Sequence, residues 1–226
     1  MIIIRTSASS SLGIGHLARC RRLAVSLKGQ GLTVFFVLDF VSDYLSEYLR
    51  EFDYKGLYSF NELFLSEEDD ALRLLDCLNN QDITAVIVDD YRLSNMWERS
   101  IVQLGCKIIV IDDQDKNSHE CHLLIDSTWE GKKTFKRYKD KISTNTRCLL
   151  GPKYLLIDEV YGSEKKQKHN SVTKNVSFKI LLSLGGGGDL AFLASLIYCL
   201  IDQIPGNLSC EFSAVVGPYA LNKEEL

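Results

Sequence analysis

The 226-residue chain predicts an α/β fold built on a doubly wound parallel sheet. Three observations predict it. Apolar runs of strand length alternate with helical patterns. Several runs, such as Ala85-Val86-Ile87-Val88, carry no polar alternation, as in parallel strands covered on both faces. A glycine turn, Gly13-Ile14-Gly15, leads into the first helix with His16 directly behind it.

Met1-Ile2-Ile3-Ile4 opens a short buried strand over Ile2–Arg5. Leu17, Cys20, Leu23, Ala24 and Leu27 recur at helical spacing and predict a helix over His16–Lys28. The alternation continues with strand Thr33–Leu38, helix Ser42–Phe52, strand Tyr54–Tyr58, helix Glu67–Asn79 and strand Ala85–Asp89. Helix Asn95–Leu104 and strands Lys107–Ile111 and Leu123–Ile125 complete a first domain over residues 1–157. Residues 158–177 are polar and lysine-rich and read as a linker. The pattern then restarts with strand Phe178–Leu184, glycines Gly185–Gly188, helix Asp189–Gln203 and strand Cys210–Val216. Residues 178–226 are fewer than the roughly 100–150 of a usual domain, so a partial second domain and a C-terminal truncation are expected.

The chain is 46% apolar, enough for a real core, and its net charge is −4 from 26 basic and 30 acidic residues. That balance, without a basic stripe, argues against a nucleic-acid partner. No apolar segment approaches a membrane span, and no signal peptide is evident. Seven scattered cysteines without a C-x-x-C pair point to reduced thiols and a cytoplasmic location.

His16 falls at the start of a helix, at the carboxyl end of the first strand, where open α/β sheets bind ligands. Amides at a helix start favour an anion and disfavour an imidazolium, so a neutral imidazole there is a candidate general base. The serines before it (Ser7, Ser9, Ser10 and Ser11) can bond a polar ligand. Arg19 lies one turn on and can hold a phosphate or carboxylate. Arg21 and Arg22 read as a solvated face. Gly13, Gly15 and Ala18 also fit a dinucleotide fingerprint, with Asp39 as the ribose acid. Against that, seven residues separate Arg5 from Gly13, and His16 stands where a pyrophosphate would lie. The plain alternative is that the glycines only permit a sharp turn.

Asp89-Asp90-Tyr91 and Asp112-Asp113 each end a strand. Asp89 and Tyr91 are read as site residues, Asp112 and Asp113 as caps of loop backbone. His119-Glu120-Cys121-His122 is too crowded for a tetrahedral metal set and reads as structural. Gly185–Gly188 between a strand and a helix is a second phosphate-cradle candidate, or else a flexible turn.

Taken together, Arg5-x-Ser7-x-Ser9-x-x-Leu12-Gly13-x-Gly15-His16-x-x-Arg19-Cys20-x-x-Leu23-Ala24 resembles the N-terminal signature of the PseG/SpsG-type UDP-sugar hydrolases, a family of pseudaminic acid pathway hydrolases and spore-coat polysaccharide biosynthesis proteins. Val88-Asp89-x-Tyr91, Ile111-Asp112-Asp113, Leu149-Leu150-Gly151-Pro152-x-Tyr154-x-Leu156 and Ser183-Leu184-Gly185-Gly186 follow in the same order. The resemblance implies a GT-B-like fold, with a Rossmann-like N-terminal domain on the sugar side and a truncated second Rossmann-like domain for the nucleotide. It implies hydrolysis of a UDP-linked 2,4-diacetamido-2,4,6-trideoxy hexose, without metal or other cofactor. His16 and Tyr91 map as catalytic candidates. Arg5, Ser9, Gly13, Gly15, Arg19 and Asp89 map to the substrate, and Gly185, Gly186 and Gly187 to the nucleotide.

Ser7, Asp126 and Asp158 depart from the family pattern, and the glycine turn is stretched to Gly185–Asp189. Two other readings stand beside the hydrolase. One is a GT-B glycosyltransferase of surface polysaccharide synthesis. The other is a truncated, non-catalytic binding protein, self-associating through its incomplete second domain. On the hydrolase reading a chain of this length is expected to bind UDP poorly and to be inactive alone.

Overall fold

The computed structural model describes residues 1–9, 12–59, 62, 64–79, 81–158, 160–163, 177–206 and 208–222. Its elements run β1 (Ile2–Thr6), α1 (Gly15–Gly29), β2 (Val34–Leu38), α2 (Asp43–Tyr48), β3 (Asp53–Gly56), α3 (Glu67–Cys77), β4 (Ala85–Asp89), α4 (Asn95–Ile101), β5 (Lys107–Ile111), β6 (Leu123–Asp126), β7 (Arg147–Leu150), α5 (Val160–Ser163), β8 (Ser177–Ser183), α6 (Leu190–Gln203) and β9 (Ser209–Val215). They form two compact units. One comprises Met1–Ser7 and His16–Ile157, the other Ala8–Gly15 and Asp158–Leu226. Most of the predicted linker lies outside the described residues.

The first unit is an α/β, Rossmann-like layer. Seven strands, in the order β3-β2-β1-β4-β5-β6-β7, pair in parallel throughout. Every residue of β1 and β4 is buried, because helices cover both faces of the sheet centre. The register sets Thr6 beside Asp89, so the carboxyl ends of β1 and β4 open at the same level. The chain leaves β1 in one direction to β2 and β3, and in the other to β4 and β5. The space above β1 and β4 is therefore the switch point of the sheet, where parallel α/β folds hold ligands.

Serine caps begin three of the helices. Ser42, Ser66 and Ser94 accept from the amides of Leu45, Asp69 and Met96 at 3.3, 3.2 and 3.3 Å. Four acids, Glu67–Asp70, fill the first turn of α3, where the helix dipole favours them. Trp97 of α4 is fully buried among Leu74, Leu78, Ile101, Ile108 and Leu124, and it donates from Nε1 to Asp70 at 2.9 Å.

The structure moves several predicted boundaries. Helix α4 ends at Ile101 and tightens into a 3₁₀ turn over Val102–Leu104, which Gly105 closes at φ +68°. The third strand starts at Asp53 and stops at Gly56, short of the expected Tyr58. Strand β7 has no counterpart among the expected strands, since Leu149-Leu150 alone is too short an apolar signal.

In the second unit, β8 and β9 pair in parallel and α6 connects them, the simplest crossover. Leu190 and Leu193 of α6 pack with Ala220 and the partly buried Leu182, Leu184 and Ile197.

Candidate functional site at the switch point

His16 begins the second residue of α1, and its Nδ1 lies 2.5 Å from Asp89 Oδ1, the last residue of β4. Arg19, three residues on and hence on the same helix face, holds both oxygens of Asp89 at 2.6 Å through Nε and Nη2. Its Nη1 reaches Asp113 Oδ2, also at 2.6 Å. The Tyr91 hydroxyl donates to the other oxygen of Asp113, and its ring meets the His16 ring edge-on at 4.4 Å. Cys20 Sγ donates to Asp89 Oδ2 at 3.3 Å from one turn below. Two strand ends and one helix face thus converge on one imidazole.

Asp89 is wholly buried, whereas the His16 side chain keeps 12% exposure and that of Asp113 27%. A carboxylate doubly bonded by a guanidinium only accepts, so Nδ1 of His16 carries the proton that faces Asp89. Burial works against the charge of Asp113, yet hydrogen bonds from Tyr91 and Arg19 outweigh it and hold the carboxyl below its ordinary range. Burial and the bond to Asp113 push the Tyr91 phenol up. Burial also pushes the Cys20 thiol up, which keeps it a proton donor to Asp89 and an inert thiol.

The structure brings His16, Arg19, Asp89 and Tyr91 together. It corrects the reading of Asp113, expected to cap loop backbone. Asp112 does that work, accepting from the amides of Gln114 and Asp115, while the next residue turns the other way to Arg19 and Tyr91. It also corrects Arg5. That side chain is fully buried and bonded to Asp70, Asp39 and the Thr6 carbonyl, so it braces the sheet and offers no surface to a substrate. Arg19, expected to grip a phosphate or carboxylate, is already engaged by two carboxylates of the chain. Asp39, the ribose acid of the dinucleotide alternative, is paired with Arg5 and Arg92.

In the second unit, Ser9 and Gly13 close the loop before α1 with a pair of backbone bonds, and Ser9 Oγ accepts from the Leu12 amide at 3.1 Å. Gly13 sits at φ +72°, a conformation other residues adopt only with strain. Gly15 begins α1. Ser10 and Ser11 lie outside the described residues. Gly185, at φ +76°, turns the chain out of β8. A Cβ at Gly186 would overlap Ile14, so the two loops touch backbone to side chain. The carbonyls of Gly186 and Gly188 accept from Tyr219 and Leu221 at 3.0 and 2.9 Å, and Asp189 caps α6 through the Ala191 amide at 3.0 Å.

His119 is buried between Glu98 (2.6 Å) and Asp112 (3.4 Å), and His122 Nδ1 accepts from the Ile108 amide at 3.1 Å. Both are structural. Among the described residues no group of three or more His, Cys, Asp or Glu side chains is arranged to hold a metal ion. Among the same residues no helix is long and apolar enough to cross a membrane.

A parallel seven-stranded sheet with a polar cluster at its switch point, followed by a second β-α-β unit, defines an α/β, Rossmann-like and GT-B-like protein. The solved structure of MurG from Acinetobacter baumannii shares that fold, with a TM-score of 0.58 and 9% identity over 95% of this chain and 68% of the other. In sequence the chain is 25% identical to an uncharacterized protein of Methanocaldococcus jannaschii over 237 aligned residues. That alignment covers 100% of this chain and 44% of the relative, so the chain spans less than half the relative's length. No protein-family model matches the chain.

Proposed function

We propose that the protein is a nucleotide-sugar hydrolase, releasing UDP and a free diacetamido-trideoxy hexose for surface polysaccharide or nonulosonic acid biosynthesis. The observation that carries this reading is the His16–Asp89 pair, with Nδ1 tied down and Nε2 left as the base. In the proposed step Nε2 takes a proton from a water molecule. The water oxygen forms a bond to the anomeric carbon, and the bond from that carbon to the UDP oxygen breaks, the electron pair leaving on the diphosphate. Asp89 balances the imidazolium that forms, in the manner of the orienting acid of a hydrolase triad. Tyr91 supports the ring edge and lies beside the reacting face. Gly185, Gly186 and Gly187 are the proposed backbone contacts for the nucleotide phosphates, and Ser9, Gly13 and Gly15 shape the loop before the base. The chemistry needs no metal or cofactor, and the proposed location is cytoplasmic.

The GT-B-like fold favours one other reading, a glycosyltransferase in which a sugar hydroxyl replaces the water. The two can be told apart by incubating a version of the protein with a complete second domain with the UDP-linked diacetamido sugar and measuring UDP release without and with candidate sugar acceptors. A hydrolase releases UDP at full rate with no acceptor. Release that appears only when an acceptor is added makes the protein a transferase.

A further inference from the structure

We propose that Asp113 is a positioning residue that fixes Tyr91 against His16, an inference that rests on His16 and Asp89 being the working pair. Asp113 is the last link of a closed ring. Its Oδ1 accepts from the Tyr91 hydroxyl, and its Oδ2 accepts from Arg19 Nη1 at 2.6 Å. Arg19 grips Asp89 at 2.6 Å, Asp89 holds His16 at 2.5 Å, and the His16 ring returns to the Tyr91 ring at 4.4 Å. His16 is therefore held at Nδ1 by a carboxylate and along its ring by a phenol, and Asp113 ties that phenol to the same guanidinium through the shorter of its contacts.

The bond also settles which way the Tyr91 proton points. A carboxylate accepts and does not donate, so the phenolic proton is directed at Asp113 and the oxygen presents lone pairs elsewhere. Arg19 Nη2 approaches that oxygen at 3.4 Å. Tyr91 is thereby set as an acceptor toward a bound ligand, suited to the hydroxyl and amide donors of a sugar and unsuited to act as a general acid. Stability does not require this arrangement. Asp113 keeps 27% side-chain exposure, and ion pairs open to solvent contribute little to folding.

The test is Asp113→Asn, with Asp113→Ala as a second variant and Tyr91→Phe as the reference background. The charged or titratable groups in contact with Tyr91 are Asp113, just after β5, and His16 and Arg19 from α1, with Asp89 of β4 bonded behind them to both. Tyrosinate absorbance followed against pH, without substrate, should show one phenol ionising at lower pH in Asp113→Asn than in the parent. The difference should vanish when Tyr91→Phe is added. With the UDP-sugar, kcat should fall about tenfold with KM within about twofold, and the double variant should be no slower than Tyr91→Phe alone. The melting temperature should stay within about 2 °C. An unchanged phenol titration, or rate losses that multiply with Tyr91→Phe, overturns the proposal. If the UDP-sugar is not turned over by a version of the protein with a complete second domain, the functional reading fails, while the titration still decides whether Asp113 holds Tyr91.

Discussion

Arg5 and Arg19 make nearly the same bonds at the same edge of one sheet. Arg5 holds both oxygens of Asp70, at 3.1 and 2.5 Å, and reaches Asp39 at 2.5 Å. Arg19 holds both oxygens of Asp89 and reaches Asp113, all at 2.6 Å. Each network has an aromatic hydroxyl donating to one of its carboxylates, Tyr58 to Asp70 and Tyr91 to Asp113. They differ in access and in the presence of a base. Arg5 and Asp70 have no exposed side-chain surface, and Trp97 donates to the same carboxylate. The Arg19 network opens to solvent at Arg19, Asp113 and His16, and it carries the imidazole. A guanidinium gripping a carboxylate does not by itself mark a site. Such a pair buried on all sides is a strut, and the same pair beside an accessible histidine can do chemistry.

The comparison breaks most visibly if the strut can be removed cheaply. Asp70→Ala leaves the Arg5 guanidinium buried with its main partner gone, and the expected loss is about 3–5 kcal/mol of stability, read by denaturant unfolding. A loss below about 1 kcal/mol would show that the buried network does not brace the sheet.

Next in size is His119, a buried histidine held between two carboxylates. Burial opposes its charge, but hydrogen bonds to Asp112 and Glu98 outweigh that and push it up to about 9, from 6.5. A folded-state value above the unfolded one stabilises fully below about pH 6.5 and fades as the pH rises through 9. The rise corresponds to about 3 kcal/mol as an order of magnitude. Unfolding measured from pH 6 to 10 should show this decline, and His119→Gln should flatten it. An equal decline in the variant would assign the effect elsewhere.

The smallest effect belongs to a pair with neither burial nor base. Arg50 and Glu47 form an ion pair with side chains 69% and 70% exposed, and Arg50→Ala should change stability by less than about 0.5 kcal/mol. A larger change would mean that exposure is a poor guide to the two arginine networks as well.

The sequence made the sheet centre readable because β1 and β4 are buried on both faces and must be apolar throughout. Helix starts were readable because serine caps mark Ser42, Ser66 and Ser94. His16, Arg19 and Asp89 were readable as residues near one sheet edge, from a helix start and a strand end. Arg5 was misplaced because its partner Asp70 is sixty-five residues away, and no local pattern reveals such a pairing. Asp113 reads from sequence as a loop cap like Asp112, because Asp112-Asp113 at a strand end gives no sign of which carboxylate turns to the loop. The bonds of Asp112 to its own following amides decide that, and they exist only once the loop has folded. Strand β7 was hidden by its shortness, and its place is set by pairing with β6.

The most direct measurement is the turnover of the UDP-linked diacetamido sugar by a version with a complete second domain carrying His16→Ala, beside its own parent, with thermal melting of both. The expected result is a rate lower by about 10²–10⁴-fold with melting essentially unchanged, since the imidazole bonds at the accessible rim of its network and bears no strut. A variant that hydrolyses the sugar at the parent rate would contradict the assignment of His16 as the base.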